Sequence, residues 1–231
     1  AEALAVQAPL GPPPLRGPAI RVADFTGQIA VGLAATERQL RFEVVVPGED
    51  VGDELRLAAE VKPPGSLSAD LYPRRCGEGC FTIRYRLPPG RTVITADVEV
   101  PGLEGGTARF VVPWPLRRER PELLRRVART MFAVPELKMT ELVVSGSSSS
   151  RTPGRYRLPG KELLRKAEMY RGGAVDVRVL GRHDRLTELA FALPASNIWY
   201  RMWIDETYRV QREVIINRGH LITRTFEYPS S

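Results

Sequence analysis

Apolar and polar residues alternate in five short runs near the end of the chain, over residues 175–180, 186–193, 197–205, 209–217 and 220–228. The links between them hold two to five residues. Links that short return a strand only in the antiparallel sense, so the runs predict a meander. Residues 197–205 are bulky on both sides: Ile198, Tyr200, Met202 and Ile204 point one way, Trp199, Arg201 and Trp203 the other. A sheet apolar on both faces must cover both or present one to a ligand or partner. The strand is therefore expected to be central. The side bearing Met202 is expected beneath a helix, and Trp199, Arg201 and Trp203 are the candidate ligand or partner face.

The helix is predicted at Pro121–Phe132, where Leu123, Leu124, Val127, Ala128 and Met131 form an apolar stripe and Pro121 suits the first turn. Residues 136–145 read as a strand, 147–150 as a polar loop and 160–169 as a short helix with Leu163, Leu164 and Ala167 inward. Upstream, strand patterns fall at residues 28–33, 39–46, 54–61, 67–72, 80–87, 91–100 and 107–112, divided by Pro-Gly turns. Seven short strands at this spacing predict an immunoglobulin-like antiparallel β-sandwich. The Cys…Trp…Cys spacing of antibody domains is missing.

The expected class is mainly β. A proline-rich leader or tether occupies residues 1–18, with Pro9, Pro12, Pro13, Pro14 and Pro18 favouring extended backbone. The sandwich takes residues 19–115. An α+β domain, a curved antiparallel sheet under one main helix, takes residues 116–231. Three prolines, Pro113, Pro115 and Pro121, make the link stiff, with Trp114 as its anchor.

At 231 residues and 43% hydrophobic, the chain can bury real cores, and no apolar run is long enough to span a bilayer. The short apolar stub 1–8 lacks the basic start and long h-region of a signal peptide. It reads as the beginning of a fragment or of a processed form.

The net charge is +7, and all but four of the 34 basic residues are arginine. That bias reads as the coding habit of a GC-rich genome. It is not a nucleic-acid footprint, because stacking aromatics do not interleave it. The densest run, Arg117, Arg118 and Arg120 continuing to Arg125, Arg126 and Arg129, lies along the predicted helix. It reads as a solvated face or, near a membrane, as a contact of Arg117, Arg118, Arg125 and Arg126 with anionic lipid.

Catalytic chemistry finds no foothold: no Ser/His/Asp or Cys/His constellation assembles, and Glu49-Asp50 and Asp205-Glu206 fall in turns. The chain is read as non-enzymatic. Cys76 and Cys80 are separated by Gly77-Glu78-Gly79, so the sulfurs can approach. A local disulfide in an oxidising compartment is favoured; a soft-metal site for Cu(I) and a pair of free thiols are the alternatives. His183 sits in a polar turn and His220 at a strand end. Met131, Met139, Met169 and Met202 are scattered, so no metal-ligand set is pre-formed.

Two segments carry a resemblance. Cys76-Gly-Glu-Gly-Cys-Phe81, Leu87-Pro-Pro-Gly90 and Pro113-Trp-Pro115 resemble the YtkA-like sandwich domain at the extracytoplasmic end of bacterial copper-transport and copper-resistance membrane proteins of the CopD/YcnJ type. Trp199-Tyr-Arg-Met-Trp-Ile-Asp205, residues 211–216, His220 and Phe226-Glu-Tyr228 are similar to a domain following that sandwich, a small LolA-like half-barrel. Tyr208 departs from the pattern, standing where the family places glycine. The stretch between Leu158 and Gly172 is also short for the strands the half-barrel would have there.

The resemblance implies an extracytoplasmic binding or scaffolding region, tethered to the cytoplasmic membrane. Its partners would be the membrane region of the same or a companion protein and a copper ion, with no ligand residue carried over. The alternative is a carrier or sensor holding a hydrophobic ligand or lipidated partner in the concave face of the second domain.

Overall fold

The computed structural model describes residues 17–48, 52, 54–145, 152–170, 172–194, 198–217 and 219–229. The expected tether 1–18 lies outside these residues except at its last two positions. The loop 147–150 and the pair Glu49-Asp50 also lie outside them. The chain is mainly β, its sheets antiparallel, with one main helix.

Residues 20–114 form nine strands: β1 (Ile20–Thr26), β2 (Ile29–Ala35), β3 (Gln39–Val45), β4 (Arg56–Lys62), β5 (Ala69–Leu71), β6 (Arg74–Gly77), β7 (Cys80–Arg84), β8 (Gly90–Glu99) and β9 (Gly106–Trp114). They pair as a five-stranded sheet, β1-β2-β3-β7-β6, and a four-stranded sheet, β5-β4-β8-β9. The chain alternates between hairpins within a sheet and crossings between sheets, as in an immunoglobulin-type sandwich, with β1 added beside β2. Leu33, Leu40 and Phe42 of one sheet and Val61, Ile94, Phe110 and Val112 of the other are buried in the shared core.

The sequence pattern missed two of these strands. β6 is short and polar and carries Arg74 and Arg75, so it shows no apolar period. β1 has apolar residues on both sides, which hides its alternation. The run read as 80–87 is regular strand as far as Arg84, and beyond it the Tyr85 and Leu87 N–H groups donate to the carbonyls of Arg38 and Glu37.

Residues 121–227 add α1 (Pro121–Phe132), β10 (Leu137–Val144), β11 (Gly154–Leu158), α2 (Gly160–Lys166), a single 3-10 turn (Glu168–Tyr170), β12 (Val175–His183), β13 (Leu186–Leu193), β14 (Ile198–Ile204), β15 (Val210–Ile216) and β16 (Leu221–Glu227). The strands make one antiparallel sheet in the order β11-β10-β16-β15-β14-β13-β12. β14 is an interior strand, as its two apolar sides require.

α1 begins with Pro121, has Glu122 in its first turn and Arg129 in its last, and so complements its own dipole. Its stripe Leu123, Leu124, Val127 and Met131 packs with Tyr200, Met202 and Ile204 of β14. Burying such a face supplies most of a helix's stability in a protein. Phe191 stacks on Tyr200 in the same core, ring centroids 4.9 Å apart. The short helix read over 160–169 divides into α2 and the 3-10 turn. Gly160 is needed where α2 meets the end of α1, because a Cβ there would fall 1.7 Å from the Met131 carbonyl oxygen.

The outer face of the five-stranded sheet packs on the opposite face of the seven-stranded sheet. Ala23, Ala30 and Ala34 meet Trp199, Val214, Ile216 and Leu221 there. The layers therefore run four-stranded sheet, five-stranded sheet, seven-stranded sheet, helices.

Candidate functional site

The face expected to meet a ligand or partner meets the chain's own sandwich. Trp199 is only 5% exposed. β2 turns Ile29, Val31, Leu33 and Ala35 into the sandwich core, which leaves Ala30, Gly32 and Ala34 on its outer side. Small residues allow the indole to approach the backbone: a Cβ on Gly32 would stand 2.9 Å from Trp199 Cζ2.

Arg201 crosses the same junction. Its Nε and Nη2 donate to Glu188 Oε1 at 3.0 and 2.7 Å, and its Nη1 donates to Asp24 Oδ2 of β1 at 2.6 Å. Glu188 is buried, so this charge is compensated by a guanidinium fork where water is scarce. Trp203 is half-buried, with the guanidinium carbons of Arg201 and Arg212 at 4.9 and 4.8 Å from its ring. The stacking of Arg201 on Trp203 follows from their i, i+2 placement on one face.

A second polar joint closes the junction. Arg178 is 4% exposed; its Nε donates to Ala19 O at 2.7 Å, Nη1 to Arg117 O, and Nη2 lies 3.3 Å from Glu119 Oε1 and 3.5 Å from Asp176 Oδ1. Asp176 also takes Arg21 Nε at 2.8 Å. One buried guanidinium thus ties the start of β1, the link after Trp114 and β12. Nothing in the sequence marks Arg178, since it sits in an ordinary alternating run.

Cys76 and Cys80 are joined in a disulfide, with their Cα atoms 5.1 Å apart. Gly79 adopts φ 60 in the hairpin between them, a conformation glycine takes without strain. With both sulfurs in the bond, neither is a thiolate, so the soft-metal and free-thiol alternatives do not describe this state. Among the described residues, no three His, Cys, Asp or Glu side chains gather as a metal ion would need. His183 closes β12 instead of sitting in the turn, and its Nε2 is 3.7 Å from Glu188 Oε2. His220 is exposed; its backbone N–H donates to Asn217 Oδ1.

Arg117, Arg118, Arg125 and Arg126 are all exposed. Arg126 donates from Nη1 to the Tyr208 hydroxyl at 2.6 Å and lies over its ring. Tyr208 has φ 66, a left-handed backbone that favours glycine. Asp205 organises that turn: Oδ1 accepts from the Thr207 N–H, the Thr207 hydroxyl and the Arg209 N–H, and Oδ2 from Gln211 Nε2. The carboxylate is turn chemistry, as the sequence indicates. Among the described residues no helix is long and apolar enough to cross a membrane.

Sequence reasoning missed a charged cluster inside the second core. Glu213 is fully buried, opposite Met202 on one side and Arg224 on the other. Arg224 Nε donates to Glu141 Oε2 at 2.6 Å, while its Nη1 stays 3.5 Å from Glu213 Oε2. Neither Glu213 oxygen has a well-formed hydrogen bond, and the buried Tyr170 hydroxyl also lacks one. Burial pushes the Glu213 carboxyl up to about 6, against the pull of Arg224. Burial also raises the Tyr170 phenol well above its ordinary value, with the Glu213 charge adding to the effect. The only signal was a glutamate at an inward position of β15.

Comparison of the chain with protein-family models, with curated proteins and with solved structures finds no match.

Proposed function

We propose that the chain is a non-enzymatic, extracytoplasmic scaffolding region of a membrane protein, working in copper transport or resistance as the sequence resemblance implies. The observation that carries the scaffold reading is the filling of both faces of β14 by the chain itself. Tyr200 and Met202 are closed in by α1, and Trp199 by β2. A carrier of a hydrophobic ligand needs an open apolar cavity, and these residues are already spent on internal packing. The Cys76–Cys80 disulfide supports an oxidising compartment. The left-handed backbone at Tyr208 supports the resemblance, since the family places glycine in that turn.

The test is a pair of titrations on the oxidised protein, one with Cu(I) and one with a fluorescent fatty acid. The scaffold reading expects neither to bind stoichiometrically. Stoichiometric uptake of the fatty acid would replace it with the carrier reading, and tight Cu(I) binding would make the chain a copper carrier. Impermeant thiol labelling of intact cells after reduction should reach Cys76, the half-buried member of the pair; failure to label it would overturn the extracytoplasmic assignment.

A further inference from the structure

A cleft of about 750 Å3 opens between the link 117–120, the β12–β13 turn and the β14–β15 turn, and Arg117, Arg118, Arg120, Arg182 and Arg185 line it. Three carboxylates, Asp184, Asp205 and Glu206, also reach its wall. The charges do not cancel in place. Asp205 is committed to its own turn, and Arg120 is paired with Glu122 outside the cleft. Among the described residues, Arg117, Arg118, Arg182 and Arg185 form no ion pair.

The supporting backbone is fixed. Buried Arg178 holds the Arg117 carbonyl, and the Arg120 N–H donates to Val177 O at 2.8 Å. The floor includes the apolar side chains Leu123, Val179 and Ile204, which lower the local dielectric and strengthen any charge interaction above them.

We propose that this cleft binds a phosphate group, free or carried on a lipid headgroup. Arg117 and Arg118 from the link and Arg182 and Arg185 from the end of β12 and its turn outnumber the two remaining carboxylates of the wall, Asp184 and Glu206, and that excess of positive charge in one cleft favours an anion. Guanidinium forks match the paired oxygens of a phosphate, which also offers several oxygens and up to two charges at one centre. The proposal does not rest on the scaffold reading: a scaffold or a carrier could each hold phosphate here, and the copper and fatty-acid titrations leave it untouched.

The experiment uses two probes on the whole chain: inorganic phosphate followed by calorimetry at low salt, and co-sedimentation with phosphatidylglycerol vesicles against phosphatidylcholine vesicles. The R182E/R185E variant reverses two charges in the cleft. The R84E/R86E variant reverses two exposed charges near the end of β7 and makes the same change in net charge. Thermal melts confirm that each is folded.

Wild type and R84E/R86E are expected to bind alike, and R182E/R185E at least about tenfold more weakly, a change of roughly 1.4 kcal/mol. Binding of phosphate alone identifies a free anion. Binding of anionic vesicles that phosphate does not compete away identifies a headgroup. If wild type binds neither probe, or if R84E/R86E weakens binding as much as R182E/R185E, the proposal is overturned.

Discussion

The indole of Trp199 lies against Gly32, with the space for a Cβ already taken at 2.9 Å from Cζ2. Gly32→Ala must push two packed sheets apart or force the indole from its rotamer, and such overpacking costs about 1–3 kcal/mol. Urea unfolding should show that loss. Trp199→Ala should itself be costly, but adding Gly32→Ala to it should cost far less than in wild type, because the obstruction is gone. Strict additivity of the two changes would show that the close approach carries no strain.

Arg178→Ala should destabilise the chain by about 3 kcal/mol, because it strips a buried ionic joint of its cation. It should also release the link held through the Arg117 carbonyl. Limited trypsin digestion should cut after Arg117 or Arg118 slowly in wild type and quickly in the variant. Equal rates would mean that the link is held by something other than this guanidinium.

Met202 is fully buried on the helix side of β14, whereas Trp203 is half-buried at the edge of the junction. Met202→Asp places an unpaired carboxylate under α1 and should abolish the cooperative unfolding transition. Trp203→Ala should leave a folded protein weakened by about 1–2 kcal/mol. Circular dichroism melts separate the two; the reverse order would mean that the faces are assigned the wrong way round.

Glu213 gives a pH signature. Its folded-state value is raised from 4.5 to about 6, so between those values the folded protein keeps a proton that the unfolded chain has released. The contribution is full below the unfolded value and is lost as pH rises through about 6, costing about 2 kcal/mol. Urea midpoints measured across this window should fall with rising pH from this group, and Glu213→Gln should flatten that part of the curve. A variant with an unchanged profile would show that Glu213 titrates elsewhere.

The pattern of the sequence reaches far where one face is buried and the other is wet. Pro121–Phe132 is legible from its stripe, and the five final strands from their alternation. It fails at β1 and at β11. In β1 the inward Ile20 and Val22 are offset by Ala23 and Phe25, which pack at the junction, so no period shows. β11 is an edge strand rich in arginine, and its residues show no apolar period. The two apolar sides of β14 were legible, but not what covers them: the matching surface on β2 is Ala30, Gly32 and Ala34, and small residues announce no partner. The Arg178 joint was hidden because its acceptors are mostly distant in sequence, including the backbone carbonyl of Ala19.

β1 belongs to two interiors at once, and this makes it a thermodynamic hinge between them. Ile20 and Val22 enter the sandwich core, while Ala23 enters the layer beneath the second sheet. Neither core can open fully while the other keeps that strand in place. Heat should therefore take the described chain apart in one calorimetric step, although its sequence is laid out as two successive units.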